Sequence, residues 1–315
     1  MIDKITVSAD IPRPVLQAAF GDALEFGRPL APFTSYKTGG PARYFIAVHS
    51  PEEVAAVVAR AKELSLPYFL IGGGSNLLVS DEGFDGLIVK VDVQGLAVVD
   101  EVSIESGAGE DLMALVDFAT QNSLTGLEFA AGIWGSVGGA IYGNAGAFGG
   151  EIGSVTTSVT LVDAAGQLKV VTPDYCRFGY RDSSLKVTHE IVTMARFQLQ
   201  KGDYAAIRDR VGEILTLRDT KHPNTGRSAG CFFKNIPDPS QPYGKLPAGK
   251  LLEESGAKNL QVGGARVFDR HANIIVNTGT ATSHDIRELA DRMKQLVLEK
   301  FHIELQEEVQ QLGKF

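Results

Sequence analysis

With 315 residues, 44% hydrophobic and 22% charged, the chain is long enough for two or three domains that each bury a core. A net charge of −8 argues against a broad nucleic-acid surface, although a few cations and backbone N–H groups can still hold a phosphate locally. The absence of a long apolar run or a leader-like start predicts no membrane insertion, and two cysteines, Cys176 and Cys231, suit a reducing cytosol rather than a disulfide scaffold.

In chain order, an amphipathic stretch around 15–26 opens an N-terminal segment placed at 1–34. Ser50-Pro51-Glu52-Glu53 predicts a helix start, with Ser as N-cap, Pro at N1 and Glu at N3 to close a capping box. Residues 67–71, ending at Ile71, predict a buried strand running into Gly72-Gly73-Gly74-Ser75-Asn76. Further strands are expected at 87–91 and 102–106, then a helix over 111–122. The stretch 126–150 is so dense in glycine that regular helix is not expected there. Residues 158–162 and 168–171 flank Asp163-Ala164-Ala165-Gly166, which predicts a hairpin. Helices follow over 204–217, with Asp203 as N-cap, over 248–255, stopped by Gly256, and from about 282 to 301. Strands and helices are mixed throughout and no repeat occurs, so the class is α+β. A boundary is placed near residue 202, giving domains at 35–202 and 203–315.

The glycines, 35 in all, are clustered. Three of them followed by Ser75 and Asn76 let backbone N–H groups approach an anion closely, against the plainer reading of a tight turn. The run from Gly132 through Gly135, Ser136, Gly138 and Gly139 to Asn144 and Gly146 suits a long ligand pressed against bare backbone; close element packing is the alternative. Two nucleotide-binding patterns fail. After Gly107-Ala108-Gly109, Leu112 occupies the third-glycine position, and Leu251 follows Lys250 where a P-loop needs Ser or Thr. Arg181, beside Tyr180, is as suited to a carboxylate as to a surface ion pair. Cys231 alone reads as a buried structural thiol. The six histidines have no metal-ligand spacing, so no metal is expected.

Together these segments resemble one family, the UDP-N-acetylenolpyruvoylglucosamine reductases of peptidoglycan synthesis. The matching stretches, in order, are Ser35-Tyr36-Lys37-Thr38-Gly39-Gly40-Pro41-Ala42, GGGSN, GIWGSVGGAIYGNAGAFGGE, GYRDSSLK, SAGCFFKN, PAGKLLEESGAK, HANIIVN and LQEEV. The resemblance implies an FAD-binding domain of the vanillyl-alcohol-oxidase (PCMH) type, made of two α+β subdomains, followed by an α+β substrate-binding domain. It further implies FAD against Ile71–Asn76 and the Gly132–Gly146 run, with NADPH as hydride donor and a UDP-sugar enolpyruvyl ether as substrate. By the same resemblance Arg181, Cys231 and Glu308 are catalytic, while Tyr180, Lys221, Lys234 and Asn235 contact substrate. The chain resembles the shorter branch, which lacks a substrate-capping insertion.

Three positions depart from the family pattern. Cys231 stands where a serine is usual, Trp134 where proline is common, and Gln306-Glu307 where Glu-Pro precedes the catalytic glutamate. A thiol, with an ordinary pKa of about 8.5, is a stronger acid than a hydroxyl, so the first change is compatible with proton transfer. Two other readings stay open: another flavin oxidoreductase of the same fold, and a catalytically silent UDP-sugar or flavin-binding homologue.

Overall fold

The computed structural model describes residues 11–223, 227–241 and 244–315; the first ten residues of the expected N-terminal segment lie outside them. Tertiary contacts divide the chain into two compact units. One holds the chain up to Phe26, Tyr44–Gly73 and Asp85–Leu217; the other holds Gly27–Arg43, Gly74–Phe84 and Arg218–Phe315. This division is interleaved, unlike the consecutive segments expected at 1–34, 35–202 and 203–315. Two short inner stretches belong with the C-terminal third. The helix Tyr204–Lys221 stays with the first unit through Leu217, because Val211 and Ile214 bury in that unit's core.

Local chemistry explains most element boundaries. Ser50 caps the helix Pro51–Glu63, its hydroxyl accepting from Glu53 N–H at 3.1 Å. The reciprocal half of the box is displaced by one residue, since the Glu53 carboxylate accepts from His49 N–H at 2.7 Å. Asp111 caps Leu112–Gln121 and Thr282 closes a capping box with Asp285 on Ser283–Phe301. The hairpin joining Thr156–Val162 to Leu168–Val171 turns on Asp163, whose Oδ1 accepts from Ala165 N–H at 2.7 Å and Gln167 N–H at 3.0 Å.

One expectation fails. The glycine-rich stretch contains a helix, Val137–Gly143, despite three glycines in its seven residues. Ser136 caps it, and Val137, Ala140 and Ile141 bury against the first unit's core, so packing overrides poor propensity.

In the first unit a five-stranded antiparallel sheet has the order Leu168–Val171, Thr156–Val162, Ile191–Gln198, Ser103–Gly107, Leu96–Val98. The strand Tyr68–Ile71 pairs in parallel with residues 87–90 and delivers the chain to Gly72. In the second unit Gln261–Val262, Ala265–Phe268 and His271–Asn277 form an antiparallel sheet. The helix Ser283–Phe301 buries Ile286, Leu289, Ala290, Met293 and Val297 in the same core as Tyr36, Phe232 and Phe233. Leu77–Val79 pairs in parallel with Gln310–Leu312.

Candidate functional site

In the first unit, Gly72 and Gly73 lie against Gly135 and Ser136. A Cβ on Gly72 would fall 2.4 Å from Ser136 Oγ, and one on Gly73 would fall 2.7 Å from Gly135 Cα. The buried Ser136 hydroxyl accepts from both Gly73 N–H and Gly139 N–H, each at 3.3 Å, and so ties the two glycine runs together. Gly73 and Gly139 are nevertheless exposed. Close packing therefore accounts for the glycines at 72, 73 and 138, where Ala108 would meet a Cβ at 2.8 Å. Backbone at Gly73 and Gly139 therefore reaches the surface, in a run that also carries the exposed Trp134. Glycine at these positions lets a flat cofactor approach the backbone closely.

Other expected cofactor positions are distributed differently. Ile71 is buried at the end of its strand, and Gly132 donates its N–H to Met113 Sδ at 3.4 Å. Gly146 pairs with Glu151 in a small hairpin, where a Cβ would be 2.5 Å from Gly150 O. Gly74, Ser75 and Asn76 belong to the second unit. There the Asn76 side chain donates to Glu308 O at 3.0 Å and its carbonyl accepts from Gln310 N–H at 3.0 Å.

Asn144 is buried and fully engaged. Its Oδ1 accepts from Gly153 N–H at 3.0 Å, and its Nδ2 donates to Gly179 O at 2.8 Å. That second bond anchors a tight turn in which Gly179 and Asp182 exchange backbone bonds of 2.9 and 3.1 Å. Tyr180 and Arg181 form the tip, with the guanidinium 5.6 Å from the Tyr180 ring centroid. Arg181 has φ +52°, at the turn position that normally requires glycine. Left-handed backbone costs an L-residue roughly 1–2 kcal/mol. Such strain persists where the surroundings over-determine it. Here Asn144 holds Gly179, Lys186 donates to Arg181 O, and buried Ser183 donates to Tyr142 O at 2.7 Å.

The second unit brings Cys231, Lys234, Asn235 and Glu308 onto neighbouring segments. Cys231 bridges to Ile274 on one side, and Phe233 bridges to Glu307 on the other. Lys234 N–H donates to Gln306 O and Glu308 N–H to Phe232 O, both at 2.8 Å. Buried Asn273, unnoticed in the sequence, clamps the middle. Its Oδ1 accepts from Phe233 N–H at 2.9 Å and its Nδ2 donates to Phe233 O at 2.8 Å. Asn235 Oδ1 accepts from Ala248 N–H at 3.1 Å, at the start of the helix Ala248–Glu254. The two cysteines differ: neither is in a disulfide, but Cys176 is buried while Cys231 is partly exposed. Burial, reinforced by nearby Glu190, pushes the Cys176 thiol up to about 11.

Lys221, an expected substrate contact, is exposed at the end of its helix. Next to it, burial and then the charges of Arg218, His271 and Lys221 hold His222 down at about 4. His271 is lowered as well, by burial first and by Lys221 next, and the two imidazole rings are 6.0 Å apart. Arg218 and Lys221 are the cations here, and among the described residues no cluster of His, Cys, Asp or Glu could hold a metal ion. The sequence signal for this group of residues was Arg218 and Lys221 three apart on one helix, followed by His222. No helix among the described residues is long and apolar enough to cross a membrane.

Two family models match the chain. One, an FAD binding domain, covers residues 42–172; the other, the C-terminal domain of UDP-N-acetylenolpyruvoylglucosamine reductase, covers residues 222–312. The UDP-N-acetylenolpyruvoylglucosamine reductase of Latilactobacillus sakei is 39% identical over 91% of this chain and 92% of its own. That of Lactiplantibacillus plantarum is 40% identical over 90% and 92%. The crystal structure of the reductase from Thermus caldophilus superposes with a TM-score of 0.76 at 34% identity, covering 92% of this chain and 98% of that one. On this similarity along nearly its whole length, the chain belongs to the UDP-N-acetylenolpyruvoylglucosamine reductase family.

Proposed function

We propose that the chain is an FAD-dependent reductase that converts UDP-N-acetyl-3-O-(1-carboxyvinyl)-glucosamine into UDP-N-acetylmuramate for peptidoglycan synthesis, in the cytoplasm. The reaction consumes NADPH and one proton and releases NADP⁺; a vinyl ether becomes a lactyl ether. Bound FAD would supply the relay of hydride from NADPH to the terminal vinyl carbon.

The glycine-rich backbone of Gly72, Gly73, Gly132, Gly135, Ser136, Gly138 and Gly139 supports the cofactor half of this reading, and Gly74, Ser75 and Asn76 continue the first of these runs in sequence. Asn144 and Gly146 act through the scaffold, since protein contacts engage them. Hydride addition leaves negative charge spread into the substrate carboxylate. The Arg181 guanidinium stabilises that charge as it develops, and a planar fork suits a carboxylate better than an ammonium would. Cys231 Sγ holds the proton that the charged carbon takes up, and the Glu308 carboxyl assists the same step. Tyr180, Lys221, Lys234 and Asn235 orient the substrate. The cations Arg218 and Lys221 suit an anionic group such as a diphosphate, with His222 and His271 beside them as neutral imidazoles.

One observation carries the proposal: Glu308 N–H bonds to Phe232 O, so a carboxyl group is mounted on the segment paired with the one that carries the Cys231 thiol. Incubation of the FAD-loaded protein with NADPH and the enolpyruvyl substrate should yield UDP-N-acetylmuramate, detected by mass. Arg181→Lys should cut product formation while leaving flavin reduction by NADPH close to wild type. Flavin reduction without product in the wild type would favour another flavin oxidoreductase of the same fold.

A further inference from the structure

Directly before Glu308 lies an ionic network that the proposed chemistry does not use. Arg287, on the helix Ser283–Phe301, donates from Nη1 to Glu307 Oε2 at 2.8 Å, and the two side chains are only 11% and 19% exposed. Gln311 Nε2 donates to the same carboxylate at 2.5 Å, and Lys294 Nζ lies 3.5 Å from its other oxygen. Arg287 also grips Asp291, one helical turn on, with Nε 3.1 Å from Oδ2. Half-exposed pairs on the same helix, such as Arg292–Glu288, contribute little. The Arg287–Glu307 pair differs because desolvating it costs more, and such a pair is weak evidence for stability. What it can supply is a fixed position.

We propose that Glu307 and Arg287 are positioning residues, which hold the backbone at 306–308, and with it the Glu308 carboxyl, for the proton-transfer half of the reaction. The inference rests on the role given above to Glu308. Main-chain pairing holds this segment weakly: the isolated bridge at Phe233 and Glu307 consists of the two 2.8 Å bonds given above, Val309 N–H adds a longer one to Phe232 O at 3.4 Å, and the Asn76 side chain adds one to Glu308 O. Each such bond contributes about 1 kcal/mol net, too little to keep a reacting group within about 0.5 Å of its working position. Arg287 supplies a rigid reference, since its helix is anchored through five apolar side chains in the second unit's core. Glu307 transmits that rigidity to its neighbour along one peptide unit.

The test compares both half-reactions in FAD-loaded enzyme for Glu307→Gln, for the paired change Arg287→Met with Glu307→Met, and for Glu308→Gln. Replacing a buried ion pair by apolar side chains often leaves stability intact, so the paired variant separates position from folding. Both latch variants should reduce flavin with NADPH within about twofold of wild type. Their re-oxidation by the enolpyruvyl substrate should be roughly 10–100-fold slower, the loss expected for about 1 Å of misplacement. Glu307→Asp, which keeps the charge, should recover part of the rate. Independently of activity, amide exchange at Glu308 and Lys234 should quicken in the latch variants while exchange in the helix core stays unchanged. Wild-type re-oxidation in the paired variant, alongside a slow Glu308→Gln, would overturn the positioning role. Wild-type re-oxidation in Glu308→Gln would instead overturn the role of Glu308, and this inference with it.

Discussion

The surface around Gly73 and Ser136 in the first unit exposes backbone, whereas the chemistry proposed for the Cys231–Lys234 segment in the second unit rests on side chains mounted on bridged segments. The first depends on what is missing, because each absent Cβ lets two backbone runs touch. The second depends on what is present and on how firmly Asn273 and Glu307 hold it. Substitution should therefore damage the two regions in different observables. The backbone surface should lose cofactor and stability together, while the side-chain segment should lose one chemical step with the fold intact.

The largest effect should come from Cys231→Ala. Removing the proton donor should slow flavin re-oxidation by the enolpyruvyl substrate by about 10²–10⁴-fold, with flavin reduction by NADPH unchanged in stopped-flow traces. Cys231→Ser should restore much of that rate. A thiol reagent should inactivate the wild type through partly exposed Cys231 and spare the Ser variant, because Cys176 is buried with its thiol pushed up to about 11. Full turnover in Cys231→Ala would place the proton source in water or Glu308.

Asn273→Ala sharpens the comparison from the structural side. It strands the N–H and C=O of Phe233, a fully buried residue, at about 1–3 kcal/mol for each group. The melting temperature should fall, and re-oxidation should slow more than reduction. Equal slowing of both half-reactions would show that the clamp supports the molecule at large. Gly73→Ala is the matching change in the first unit. Its Cβ would meet backbone at 2.7 and 2.8 Å, which no rotamer relieves. Overpacking of this kind costs about 1–3 kcal/mol, and the purified variant should carry less flavin absorbance per chain. Full flavin content at unchanged stability would contradict the account of this surface.

Arg181→Gly is the smallest effect on stability, and its sign is the informative part. Glycine relieves the left-handed backbone at φ +52°, so the variant should be more stable by roughly 1 kcal/mol. Turnover should nevertheless collapse, because the guanidinium is gone. A less stable variant would mean that contacts of the Arg181 side chain support the fold.

Much of this architecture is legible in the sequence wherever the cause is local. Ser50, Asp111, Asp203 and Thr282 announce helix starts because their side chains bond backbone two or three residues on. Asp163 marks its hairpin for the same reason. The helix Val137–Gly143 is not legible, since it exists through burial of Val137, Ala140 and Ile141 against distant residues. The interleaving of units is hidden likewise. Leu78 joins a core with Phe232 and Met293, and nothing near Leu78 in the chain reports it. Within the candidate site, motif order marks Arg181, Cys231 and Glu308 and the glycine-rich run marks Asn144, but the holding roles are not legible. Asn144, Asn273 and Arg287 act through partners 35, 40 and 20 residues away.

The most direct test of the central claim is an anaerobic titration of the flavin-loaded protein, followed by visible absorbance. NADPH should bleach the flavin band, and UDP-N-acetyl-3-O-(1-carboxyvinyl)-glucosamine, added after NADPH is exhausted, should restore it with release of UDP-N-acetylmuramate. Bleaching that this substrate fails to reverse, while another oxidant reverses it, would contradict the assignment.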